Sequence, residues 1–317
     1  KTMRFIAIAI IFTTLTCSAQ FDGAGGELGS KSIDKDNSSI TAWATSAVIQ
    51  RGKLQINQSN NSLATLGDSS GAIGPFDGNV LSLGDSGVVT LGFDEPIINS
   101  EGYDFAVFEN GFRVGFSYYL ELAHVEVSDN GTDFVRFPSE SLSDTSYQTD
   151  NFGYTDPVKL KNLAGKHQAP YGTLFDLEEI GLDQINYIRI VDVIGSVNDS
   201  FGTRDSKGRI INDPWPTPFA SSGFDLDAVA VVNGAMLSVL SQTAYNKANP
   251  LVSNTLRIGE RAQLKPEWEG SELSCRDING RVLNSFDSEL PTLTTTGIYI
   301  ITVKKDNQLW VQKITVY

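Results

Sequence analysis

The chain has 317 residues, with 24 lysines and arginines against 38 aspartates and glutamates, and a net charge of −14 at pH 7. Such an acidic chain repels phosphate backbones, which argues against nucleic acid as a partner and suits carboxylate-bound divalent cations. His124 and His167 are the only histidines, too few for a histidine-rich zinc site, and with Cys17 in a removable leader Cys275 is left without a disulfide partner.

Lys1 and Arg4 precede a short apolar run, Phe5 to Phe12, and the small residues up to Ala19. This order predicts a secretory signal peptide over residues 1–19, cut before Gln20. The run is shorter than the roughly 20 residues of a bilayer span. A Gly/Ser/Asn-rich stretch follows to about Asn61, with an apolar patch from Ile40 to Ile49. Short strand-like runs then alternate with turns: Val80–Leu83, Val88–Phe93, Tyr103–Phe108, Ala123–Val127, Phe134–Phe137, Tyr187–Val193 and Leu226–Val232. Asp85-Ser-Gly87, Asp129-Asn-Gly131 and Asn233-Gly234 are turn signals between them, and Asp176–Leu182 reads as one helical turn. The expectation is an all-β protein: a β-sandwich or jelly roll over residues 20–238, a linker over 239–248, and a small Ig-like β-sandwich over 249–317.

Val125-Glu-Val-Ser-Asp-Asn-Gly-Thr-Asp-Phe-Val135 and Tyr187-Ile-Arg-Ile190 resemble signatures of galactose-binding-like jelly rolls. Residues 65–234, with Asp104-Phe-Ala-Val-Phe-Glu-Asn-Gly111 and Gly223-Phe-Asp-Leu-Asp-Ala-Val229, are similar to an uncharacterised family of bacterial cell-surface proteins. Residues 245–317 carry Asn249-Pro250, Asn279-Gly280, Gly297-Ile-Tyr299 and the closing Lys313-Ile-Thr-Val316. In that order they resemble the type A-like C-terminal sorting domain of type IX secretion cargo in the Bacteroidetes. That resemblance implies the secretion machinery as a partner and an outer-membrane surface or secreted location.

Acidic residues at strand mouths are the chemically loaded positions. Positions two apart on a strand share a face, so Asp225 and Asp227 are expected to project together, in line with Val229 and Val231. Paired carboxylates repel unless a cation joins them. Asp104, Glu109, Asn110, Asp192, Asp225 and Asp227 are therefore the candidate ligands of a structural Ca²⁺, which takes six to eight oxygens. The bland alternative is that they cap turns and face solvent. The Pro/Trp loop at Asp213 to Pro218 offers Asp213 and Trp215 as ligand contacts, Trp215 either stacking on a sugar ring or plugging the core edge; Tyr118, Tyr119 and Phe116 are weaker candidates.

Gly84-Asp-Ser-Gly87 echoes a hydrolase nucleophile loop, and Leu-Gly-Asp-Ser occurs twice, at Leu66–Ser69 and Leu83–Ser86. A serine nucleophile needs a histidine held by an acid, and neither histidine has that context. The favoured reading is a repeated turn. The leading expectation is thus a non-catalytic, calcium-stabilised, glycan-binding surface protein. Capture of a nutrient or cofactor such as cobalamin with an outer-membrane receptor, and a secreted hydrolase, are the alternatives.

Overall fold

A computed structural model describes residues 21–233 except 28 and 61, and residues 250–317 except 254, 278–281, 287–291 and 306–307. The expected signal peptide and linker, Asn249 and the expected Asn279-Gly280 turn lie outside the described residues. The chain divides into two units, Lys1–Leu237 and Ser238–Tyr317.

The first unit holds β1 (Ser32–Asp34), β2 (Ile40–Trp43), β3 (Ser46–Gln50), β4 (Leu81–Ser82), β5 (Val88–Ile98), β6 (Phe105–Glu109), β7 (Phe112–Val114) and β8 (Ser117–Tyr119). It continues with β9 (Ala123–Ser128), β10 (Val135–Arg136), β11 (Glu140–Ser141), β12 (Leu160–Lys161), β13 (Tyr171–Phe175), β14 (Gln184–Asp192) and β15 (Asp225–Val232). One antiparallel sheet runs β1-β13-β6-β15-β2, with β4 also on β15; a second runs β10-β9-β14-β5-β3. Alternation along the strands, reset in β15 by a bulge between Leu226 and Ala228, turns Phe105, Val107, Leu226 and Val229 of the first sheet and Val89, Leu91, Val125, Val127, Ile188 and Ile190 of the second into one shared core. The all-β expectation holds, and the first unit is sandwich-like. Phe105 stacks on Phe175 at 5.2 Å between ring centres, and Phe137 meets both edge-on at 5.7 and 5.0 Å. Each such contact adds about 1 kcal/mol to the burial itself.

All seven runs read as strands form strands, and Asp176–Leu182 contains the short 3-10 helix Leu177–Ile180. Several strands carried no clear signal. The apolar patch over 40–49 is two strands on different sheets, broken at Ala44 and Thr45. Strand β13, between β1 and β6, opens on a Gly/Lys/His loop and contains Gly172, a residue that weakens strand propensity. Tertiary packing requires that glycine, since an added Cβ would lie 2.8 Å from the Phe108 ring.

Antiparallel pairing gathers the acids. The end of β6 lies beside the start of β15, with Glu109 opposite Leu226. In the other sheet, Asp192 at the end of β14 faces Ala123 at the start of β9, and Val191 faces Val88 at the start of β5. Asp192 joins the two sheets there by accepting from Ser86 N at 2.9 Å and Phe224 N at 2.7 Å.

In the second unit, β16 (Thr255–Leu256), β17 (Glu272–Asp277), β18 (Val282–Phe286), β19 (Gly297–Lys305) and β20 (Gln308–Val316) form a sheet of order β16-β20-β19-β17-β18. Its core includes Leu251, Trp268, Cys275, Ile301, Val303 and Ile314. A second facing sheet, which an Ig-like sandwich requires, is not found among the described residues. Cys275 is a buried free thiol.

Candidate functional site

The first unit holds a cavity of about 230 Å³. Its walls are aromatic: Phe112 and Tyr119, stacked at 5.0 Å across the β7–β8 hairpin, and Phe152 with Phe219, tilted at 6.1 Å. Asn110, Asn151, Thr217, Ser221, Glu121 and Asp225 supply polar groups to its lining. Phe152 is 71% exposed, Phe112 51% and Phe219 44%, although apolar rings are ordinarily withdrawn from water. The hairpin tip adds Phe116, 93% exposed, with Arg113 5.8 Å above its ring.

Two acids lining the cavity, Glu121 and Asp225, belong to a set of six buried carboxyls within electrostatic reach of one another, with Asp85, Glu109, Asp192 and Asp213. Burial first, then neighbouring acids, holds Glu109, Glu121 and Asp192 well above the usual carboxyl range, and burial does the same for Asp213. Burial raises Asp225 to about 6, against lowering hydrogen bonds from Ser82 and Asn110 and the Arg51 charge. Among the described residues no salt bridge reaches any of the six.

Backbone donors account for much of this burial. Asp213 accepts from Leu122 N at 2.9 Å, and Asp85 accepts from Ile56 N at 2.7 Å and Trp215 Nε1 at 3.1 Å. Glu121 accepts from the Tyr119 hydroxyl at 3.2 Å. Glu109 Oε2 accepts from Gly111 N at 2.6 Å, while its Oε1 has no hydrogen-bond partner among the described residues. An unpartnered buried carboxyl oxygen costs about 1–3 kcal/mol or more.

The six expected calcium ligands do not converge. Asp104 and Glu109 sit at opposite ends of β6, separated by roughly 17 Å of extended chain. Asp104 ties a turn to the 3-10 helix, accepting from Ser100 N and Leu177 N at 2.8 Å each. Asp227 does not project with Asp225, because a bulge between Leu226 and Ala228 breaks the alternation. Both Asp227 oxygens accept backbone N–H groups, from Asp77 at 3.1 Å and Gly78 at 2.9 Å. Asp192 is the inter-sheet staple described above. These three acids fasten loops. Glu109, Asn110 and Asp225 remain together: Asn110 Nδ2 donates to Asp225 at 3.0 Å, and Ser82 Oγ donates to its other oxygen. Among the described residues no group of three or more carboxylate, imidazole or thiolate side chains is arranged to hold a metal ion.

Trp215 is 9% exposed, so it packs inside and presents no face to a ligand. Its loop folds inward because Asp213 and Trp215 satisfy buried partners on other loops. Tyr118 also turns inward, joining Leu120, Leu122 and Leu160, whereas Tyr119 lines the cavity. Glu121, Phe112, Asn151, Phe152, Thr217, Phe219 and Ser221 are the cavity residues that sequence reading passed over. The available signal was large aromatics placed in turn-rich segments.

Ser86 takes a left-handed conformation, φ 63°, with its N–H held by Asp192, as a turn residue. His124 meets Ser139 Oγ at 3.2 Å, and His167 lies 3.6 Å from Asp22. Burial lowers these histidines to about 4 and about 3. Glycine is required at 165, behind Glu121: φ is +77°, and an added Cβ would lie 1.9 Å from the Glu121 carbonyl. Gly165→Ala is expected to lower stability by about 2 kcal/mol or more, read from the urea midpoint; a change under about 0.5 kcal/mol contradicts this packing.

No protein-family model matches the chain, and a comparison with curated proteins returns no significant relative.

Proposed function

We propose that the first unit is a non-catalytic glycan-binding domain of an exported surface protein, and that the aromatic-walled cavity is its binding site. The carrying observation is the convergence of Phe112, Tyr119, Phe152 and Phe219 on amide, hydroxyl and carboxyl groups. A sugar has apolar C–H faces that pack on rings and hydroxyls that pair with such polar groups. The volume, below the roughly 300 Å³ lower end for drug-sized pockets, suits one ring of a chain-end sugar. The galactose-binding-like jelly roll, proposed from the sequence resemblance, is a fold analogy in support.

Calcium belongs to the proposal at Glu109, Asn110 and Asp225, with backbone carbonyls and water completing the six to eight oxygens it takes. Its support is the unpartnered Glu109 Oε1 beside Asp225. Bound there, the ion would supply the positive charge that these carboxyls lack. The second unit is proposed as an Ig-like sorting domain for the type IX machinery. The Gly297-Ile-Tyr299 and Lys313-to-Val316 segments of that resemblance fall on the adjacent strands β19 and β20.

Glycan-array screening tests the site. Wild-type protein should bind a defined glycan subset, and Phe152→Ala should weaken it about tenfold, the loss of one ring contact worth roughly 1.4 kcal/mol. Melting temperature should stay put because the ring is exposed. A blank array, or full binding by Phe152→Ala, overturns the reading.

A further inference from the structure

An acidic floor beneath π-faced walls selects for one kind of charge. Glu121 and Asp225 line the cavity, and Glu109, 1% exposed with Oε1 unpartnered, lies within electrostatic reach of both. An organic ammonium suits this arrangement: its C–H and N–H surface packs on aromatic faces, and one or two carboxylates take its charge. A bare divalent ion gains nothing from the rings and needs a shell of oxygens. Phe112–Tyr119 and Phe152–Phe219 form two such walls.

We infer that the glycan taken by this cavity carries a protonated amine, an amino sugar whose ammonium is held beside the two aromatic pairs by the Glu121 carboxylate. This rests on the glycan reading and adds the ligand's charge to it. Glu121 gives the ligand a proton-linked signature. Burial holds its carboxyl well above the usual range, so a bound cation draws off its proton and binding releases protons to buffer.

Calorimetric titration with a glucosamine disaccharide and its N-acetylated counterpart tests this, near neutral pH, at physiological salt, in EDTA, and in two buffers of different ionisation enthalpy. The amine form should bind at least about tenfold more tightly, with proton release. Glu121→Gln, which still accepts from Tyr119, should abolish the preference and the proton release. Phe152→Ala should weaken whichever sugar binds. Asp129→Asn, which removes a surface acid on the 129–131 turn, should leave the preference intact. Equal or tighter binding of the acetylated sugar, a preference surviving Glu121→Gln, or one lost in Asp129→Asn overturns the amine inference with the glycan reading standing. Failure of both sugars and of a neutral glycan panel removes both.

Discussion

Glu109→Gln is expected to raise the melting temperature of the first unit at about pH 8 in EDTA by roughly 4–8 °C. The substitution removes a buried ionisable carboxyl while its amide carbonyl still accepts from Gly111, a gain of about 2 kcal/mol, and each kcal/mol moves a domain of this size by about 2–4 °C. The pH dependence follows from the direction of the shifts. Glu109, Glu121, Asp192, Asp213 and Asp225 have folded values above their unfolded ones. Their contribution is therefore complete below about pH 4 and is lost as pH rises through the folded values, about 6 for Asp225. His124 and His167 act oppositely: their folded values, about 4 and about 3, lie below the ordinary 6.5, so their contribution is present above that value and fades as pH falls. Wild-type melting temperature should thus rise from about pH 8 to about pH 6, where the gap to Glu109→Gln narrows. A Glu109→Gln protein no more stable than wild type at about pH 8 contradicts the picture of an uncompensated buried carboxyl.

Calcium enters the same experiment with the opposite sign. An ion binding only the folded state raises the wild-type melting temperature by mass action, and Glu109→Gln should lose most of that increase. No calcium effect on either protein, with no metal found by elemental analysis, removes the ion and leaves protons to neutralise the cluster.

Trp215→Ala is the second large effect, an expected loss of about 3–5 kcal/mol in stability, or roughly 10 °C in melting temperature. The indole fills interior space and donates to Asp85 Oδ2, itself buried. Trp215→Phe separates the two contributions: it keeps most of the volume, loses the N–H, and should cost about 1–2 kcal/mol. Glycan affinity, measured well below the melting temperature, should be unchanged in Trp215→Phe, because the residue is not part of the cavity lining. Wild-type stability with lost binding would return Trp215 to the role of a stacking platform.

Sequence by itself determined the all-β class and the strands with clean signals. Period-two alternation, as in Tyr187 to Val193, and Gly/Asn turns are local properties that the tertiary structure had no reason to override. It also singled out the acids at strand mouths, since an acid beside an apolar run is locally conspicuous. Which acids meet was decided by tertiary structure alone. The Leu226–Ala228 bulge sent Asp227 to the Asp77–Gly78 loop, and strand rise put Asp104 at the far end of β6 from Glu109. Glu121, Phe152 and Phe219 were illegible because they lie outside the strands, in segments far apart in sequence that become neighbours only in the folded chain. Trp215 was offered by the sequence as a ligand contact or a core plug, and packing decided for the core, where its N–H donates to the buried Asp85 carboxyl.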